Sequence, residues 1–308
     1  MSRTGPAWGV IDFDKPAGCT SHDAVDFLRR LLPRKTKVGH AGTLDPAATG
    51  VLPLLVGPAT RLAAYLSGAG KTYRVQARLD CRTDTADMDG TVVERFAPSE
   101  PPSRPSLEAA MAAFRGPIRQ RPPMYSAVRI GGRRCHEMAR EGLVVERPER
   151  DVTIHSLVLV HYLWPRLDLT MDCSSGTYVR SLVEDLGAAL GVGGTVVVLR
   201  RERVGLLDVA AAHRPADLVG AALREDWEPF FVPWSQALPG LGRATVSGSA
   251  LERVRHGGPL TEDQVEGRTG PPTGAVALFT VDDELLAVYR SCTGCAGLVA
   301  EKVLVGAV

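Results

Sequence analysis

The chain has 308 residues, of which 44% are hydrophobic and 23% charged, an ordinary balance for a soluble globular protein of one large or two smaller domains. No apolar run approaches the length of a membrane span, and six scattered cysteines in so long a chain argue for free thiols rather than a disulfide scaffold. A net charge of +1 gives no hint of a polyanionic partner, so the local distribution of charge has to be read instead.

The first residues, Met-Ser-Arg-Thr-Gly-Pro, have neither an apolar core nor a cleavage pattern, and a cytoplasmic location is expected. Residues 9–18 read as a short strand closed by a Pro/Gly turn, containing Asp14, Lys15 and Pro16. Asp12 interrupts its apolar pattern and leaves the strand register open. Thr20 or Ser21 caps a helix with Val25, Leu28, Leu31 and Leu32 on one face, stopped by Pro33.

A basic tetrad, residues 34–37, leads into Val38-Gly-His40-Ala-Gly-Thr-Leu-Asp45-Pro-Ala-Ala-Thr-Gly-Val-Leu52. Gly39 and Gly42 permit tight turning, and Pro46 biases Asp45 away from the right-handed helical region. The stretch presents a carboxylate from a loop, or else Asp45-Pro46 is a plain helix start with Asp as N-cap. Residues 51–56 read as a buried strand, with Pro53 marking a bulge or an edge. A helix is expected over 59–66, then an alternating strand over 71–80 with Tyr73, Val75, Ala77 and Leu79 on one side. Tyr73 alone reads as a core-edge aromatic. The acidic loop 82–90 lacks the closing Glu of a calcium loop and is expected as a structured turn before a strand at 91–96.

A Pro/Ser linker over 98–105 and a helix over 106–115 precede a segment rich in arginine. Residues 115–150 hold nine arginines against four glutamates, a local excess of five positive charges, with no lysine and with Met124, Tyr125 and His136 interleaved. A solvated face is the plain reading; arginine among aromatics also suits phosphate binding and base stacking. Gly131-Gly132 signals a hairpin, followed by Arg133 and Arg134, and a short helix runs from Cys135 to Glu141, ended by Gly142. Strands are expected near 151–161 and 166–173, and an amphipathic helix from Thr177 with Arg180 in its first turn. A cation there opposes the helix dipole and calls for a carboxylate, either Glu184 at i+4 or a distant one. Two strands, 195–199 and 201–208, follow. The chain resets near Pro239, and residues 243–308 form a small unit of one helix and three strands. Cys292-Thr-Gly-Cys295 lacks the second pair of a zinc site.

Four segments in series resemble the bacterial tRNA pseudouridine-55 synthases, the TruB type: Asp14-Lys-Pro-Ala-Gly18 with Thr20-Ser21, Gly39-His-Ala-Gly-Thr-Leu-Asp45-Pro through Thr49-Gly50, Lys71-Thr-Tyr-Arg-Val75, and Ser175-Gly-Thr-Tyr-Val-Arg180. The resemblance implies an α+β fold: a mixed, mainly antiparallel sheet in a catalytic domain over 1–240, an RNA-binding insertion over about 115–150, and a small β-rich PUA-like domain over 243–308. It implies isomerisation of a uridine in the T-loop of tRNA to pseudouridine, with some assistance to tRNA folding, by a monomer that needs no cofactor, metal, membrane or guide RNA. By motif, Asp45 is the catalytic aspartate, Arg180 pairs with it, and Tyr73 stacks on the target base. His40 helps displace the uridine, Tyr178 and Leu199 line the pocket, Lys15 supports it, and Arg133 and Arg134 meet RNA. A guide-RNA-dependent synthase and a non-catalytic RNA-binding module are the rival readings.

The chemistry fits those residue types. Breaking the N1–C1′ bond and rejoining through C5 requires a dry cleft, an ionised carboxylate and a base swung out of its stack. A guanidinium keeps a buried carboxylate charged, and an aromatic platform offsets part of the unstacking cost, about 1–3 kcal/mol per base.

Overall fold

The computed structural model describes residues 8–126, 128–143, 145–292 and 297–304, and of residue 136 the backbone alone. In chain order the first half comprises β1 (Gly9–Lys15), α1 (Ser21–Leu31), β2 (Val38–His40), β3 (Thr49–Val56), a 3-10 turn over Gly57–Leu62 that runs into α2 (Ala63–Ser67), β4 (Lys71–Arg78), β5 (Cys81–Thr83), β6 (Val92–Arg95) and α3 (Arg104–Ala112). Next come β7 (Gly116–Gln120), β8 (Arg129–Ile130), β9 (Arg133–Arg134), α4 (Cys135–Arg140), β10 (Arg150–Leu163), β11 (Arg166–Cys173), α5 (Val179–Ala189), β12 (Thr195–Val204) and β13 (Leu207–Asp208). The remainder is α6 (Pro215–Arg224), α7 (Trp234–Ala237), β14 (Gly242–Thr245), α8 (Ser249–Arg255), β15 (Ala275–Phe279), β16 (Leu285–Ser291) and β17 (Leu298–Val303).

Among the described residues, nine strands form one sheet in the order β1-β3-β12-β4-β11-β10-β7, with β2 added to β3 and β13 to β12. All pairings are antiparallel except β12 against β3, which meet in parallel over Arg200–Thr49 and Arg201–Gly50. The alternation over 71–80 is realised in β4, which buries Tyr73, Val75 and Ala77 and turns Arg74 and Gln76 outward. They pack with Leu167, Leu169 and Met171 of β11 beneath Val179, Leu182, Val183 and Leu186 of α5. A second layer seats Ala24, Val25 and Leu28 of α1 on Ile11, Phe13, Leu52 and Leu54. Thr20 caps α1 in a reciprocal box with Asp23, an arrangement worth about 1 kcal/mol.

Pro53 sits inside a strand paired on both edges. Its carbonyl accepts from the Ala41 N–H, so its missing donor faces the short β2 edge rather than β1. The register of β1 against β3 runs unbroken through Asp12, opposite Pro53. Residues 195–208, expected as two strands, form one long β12 and a two-residue β13. Bulges against β4, between Val196 and Val198 and between Arg201 and Arg203, break the apolar alternation inside that single strand. Residues 59–66 begin as a 3-10 turn before becoming helical.

Strands β14 to β17 form a separate four-stranded sheet. It meets the large sheet through Phe279, Leu285, Val288 and Leu304 packed with Val10, Leu55 and Leu62. Cys292 is in a disulfide rather than a free thiol, and its C-x-x-C neighbour Cys295 lies outside the described residues. Cys19, Cys81, Cys135 and Cys173 are free.

Candidate active site

The Asp45 loop connects β2 to β3 and is not a helix start: no helical turn forms over 41–48. It is fastened from several sides. The Ser21 hydroxyl, at the first turn of α1, accepts from the Leu44 N–H at 2.8 Å and donates to the Leu44 carbonyl at 3.0 Å. The Lys15 ammonium, fully buried, donates to the carbonyls of Pro16, Cys19 and Pro46 at 2.9, 2.7 and 3.2 Å. The Gly18 N–H donates to the same Pro46 carbonyl at 2.9 Å. Burial lowers the Lys15 pKa, and the Asp45 carboxylate works against that. The loop leaves through Gly50, whose φ of 103° and whose 2.1 Å separation between a built Cβ and the Arg201 carbonyl oxygen admit only glycine.

Arg180 grips the carboxylate with both arms of its fork: Nη2 lies 3.1 Å from Oδ1 of Asp45 and Nε lies 3.0 Å from Oδ2. This is the bidentate geometry in which arginine binds carboxylates best. Arg180 is buried, and its other donors reach the carbonyls of Thr85 at 3.0 Å and Tyr125 at 2.8 Å, with Asp87 Oδ2 at 3.4 Å. Two carboxylates therefore answer a cation placed at the unfavourable end of α5. Glu184 does not join them; it faces Arg82 at 4.0 Å. Asp45 keeps 35% of its side chain accessible, open to an incoming group yet largely desolvated. Burial raises its pKa above the usual carboxylate range; Arg180 and, less, Lys15 oppose this, while Asp87 and Asp89 add to it.

Tyr73 and Tyr178 lie close enough to this pair to feel its charges. Tyr73 is 6% exposed in the core beside Asp45, so little of its ring is free. Burial pushes its phenol upward, and the charge of Arg201 pulls back. Tyr178, at the cap of α5, is fixed by Gln120, which accepts from its N–H at 3.0 Å and donates to its carbonyl at 3.3 Å. Leu199 bridges the two core layers. His40 is half-buried; burial, then the charge of Arg201, lowers its pKa, and its Nδ1 has no partner among the described residues. Arg133 and Arg134 lie apart, exposed on the β8–β9 hairpin, with Arg133 paired to Glu141. That hairpin and α4 pack through Val128, Cys135 and Met138 against Tyr178.

Three contributors escape the sequence reading. Asp87 belongs to an acidic turn with no motif of its own, Gln120 to an ordinary edge strand, and Arg201 to a run of arginines on β12. Only their contacts single them out. Among the described residues no three His, Cys, Asp or Glu side chains converge to hold a metal ion, and no helix is long and apolar enough to cross a membrane.

Comparison with known proteins identifies the family. Residues 29–179 match the TruB family pseudouridylate synthase N-terminal domain, and residues 180–237 match the tRNA pseudouridylate synthase B C-terminal domain. The tRNA pseudouridine synthase B of Moorella thermoacetica is 43% identical over 92% of this chain and 93% of its own length. That of Symbiobacterium thermophilum is 45% identical over 81% and 82%. Among solved structures, a Cbf5-Nop10-Gar1 complex contains a chain that superposes with a TM-score of 0.72 at 28% identity, covering 96% of this chain and 84% of that one. An H/ACA RNP bound to a substrate RNA containing 2'-deoxyuridine matches with a TM-score of 0.70 at 25% identity, over 98% and 91%. With a bidentate Asp45–Arg180 pair on a mainly antiparallel sheet, and with relatives aligned along nearly its whole length, the chain belongs to the TruB family of pseudouridylate synthases.

Proposed function

We propose that the protein is an isomerase that converts uridine-55 in the T-loop of tRNA to pseudouridine, with Asp45 as the reacting carboxylate. The observation that carries the assignment is the bidentate clasp of Asp45 by buried Arg180, which holds an acid that burial alone would protonate in its charged form.

In the reaction the N1–C1′ bond breaks, the base turns within the cleft, and C5 bonds to C1′; the C5 proton departs and N1 gains one, so no redox partner or energy source is required. Asp45 either attacks carbon or removes a proton. Arg180 is already engaged by Asp45, Asp87 and two backbone carbonyls, and so acts by holding the charge and direction of Asp45. The small exposed part of Tyr73 offers a surface for the base, Tyr178 and Leu199 close the pocket, and half-buried His40 helps displace the uridine. Lys15 stiffens the loop through Pro46. Arg133 and Arg134, on the exposed hairpin, contact RNA phosphates, and the unit beginning near residue 243 is PUA-like. The protein acts as a monomer in the cytoplasm, without a guide RNA, and can aid tRNA folding while bound.

The test is release of tritium from a T-arm stem-loop carrying [5-³H]uridine at the target position, since C5 loses its hydrogen when it bonds to C1′. The protein alone is expected to release one equivalent. Release only after addition of a guide RNA, or none at all, overturns the assignment.

A further inference from the structure

We propose that Arg201, resting on the reading of Asp45 above, is a positioning residue for the reaction: its guanidinium and its backbone set the catalytic loop and the Tyr73 strand in one frame. Arg201 is 1% exposed, the largest fully buried side chain among the described residues. It forms no ion pair among those residues. A buried charge without a carboxylate is costly unless its donors are well used, and an apolar residue fills such a space at less cost. Its donors are spent on the loop. Nε donates to the Val51 carbonyl at 2.7 Å, Nη2 to Gly42 at 3.0 Å and Nη1 to Thr43 at 3.3 Å. The charge of the same side chain opposes the upward push of burial on the Tyr73 phenol.

Its backbone does the same work. Arg201 pairs with Gly50 of β3 on one side and Tyr73 of β4 on the other, beside a bulge in β12. One residue thus ties the entry of the Asp45 loop at Gly42 and Thr43, its exit at Gly50 and Val51, and the strand that carries the aromatic. Whereas Arg180 holds the Asp45 carboxylate itself, the contacts of Arg201 with the loop are to backbone carbonyls. Its influence passes through the backbone it holds, and displacements on the order of 1 Å suffice to cost about 100-fold in rate.

The experiment compares wild type, Arg201→Met and Arg201→Lys in single-turnover tritium release from the T-arm at saturating enzyme, with RNA affinity and thermal melting measured alongside. Loss of folded protein lowers the amplitude at limiting enzyme, whereas mispositioning lowers the rate constant. The methionine variant is expected to bind RNA within about twofold of wild type and react at least about 100-fold more slowly. Lysine keeps the charge but not the fork and is expected to recover about tenfold of that loss. The acid limb of the rate against pH is expected to stay in place, because Arg201 reaches the loop through backbone carbonyls and not through the carboxylate. A folded methionine variant with the wild-type rate constant overturns the proposal, as does a shifted acid limb or failure of both variants to fold. Wild type that never releases tritium contradicts the function itself and is distinguishable from all of these.

Discussion

A carboxylate that is two-thirds covered yet must be ionised depends on its counter-charge. Asp45 and Arg180 sit at 3.0 and 3.1 Å through both oxygens, and burial, the largest influence on Asp45, pushes its pKa upward. An opposite charge at such range favours the ionised carboxylate. If Asp45 is the reacting carboxylate proposed above, activity is expected above its pKa and lost as pH falls through it. Arg180→Met removes the opposing influence, so the acid limb of kcat/KM is expected to move toward higher pH, with a lower plateau. A limb that stays in place contradicts the charge-holding role. This pair is readable from the chain because both residues lie in short, recognisable motifs. Asp87, Gln120 and Arg201 are not, because what they do is bond partners up to 159 residues distant, and in two of the three cases those partners are backbone atoms that carry no sequence signal.

At the scale of elements, β1 carries an internal conflict. Asp12 is 5% exposed, one of its carboxylate oxygens has no partner among the described residues, and its pKa is pushed up to about 7. Burial is the largest cause; Asp208 and Asp14 add to it, and an N–H of Asp208 and the charge of Arg201 oppose it. A folded pKa above the unfolded value means that this group's contribution is fully present below about pH 4 and lost as pH rises through about 7. At one unit per 1.36 kcal/mol the loss is of order 4 kcal/mol. Asp12→Asn is therefore expected to melt higher than wild type at pH 8, with an advantage that shrinks toward pH 5; equal melting curves at both pH values contradict the strain. The β8–β9 hairpin yields a second expectation. Replacing both Arg133 and Arg134 by Ala is expected to weaken tRNA binding and to lower the slope of log K against log salt by about one for each phosphate that is no longer neutralised. An unchanged slope removes the hairpin from the RNA interface. Strands with strict alternation, such as β4, are legible in the sequence. The single β12 is obscured by its bulges, and α6 goes unread because it buries only Leu218 and Ala221 on a face diluted by Ala and Gly.

Across the whole molecule, the Asp45 loop is held by residues from the start of the chain, Lys15 and Ser21, and from its second half, Arg180 and Arg201. Such long-range fastening ties the loop to strands and helices far apart in the chain. The four-stranded C-terminal sheet packs on the same body through Phe279, Leu285 and Val288. Its place in the chain is legible from the break near Pro239, but its packing partners are not, because apolar residues on two sheets do not announce which face meets which.

The most direct measurement is single-turnover tritium release by Asp45→Asn at saturating enzyme, paired with its affinity for the same T-arm. The substitution keeps shape and removes charge. Affinity is expected to stay within a few-fold of wild type, with no release above background. An Asp45→Asn enzyme that still converts its substrate at a measurable fraction of the wild-type rate contradicts a catalytic role for this carboxylate.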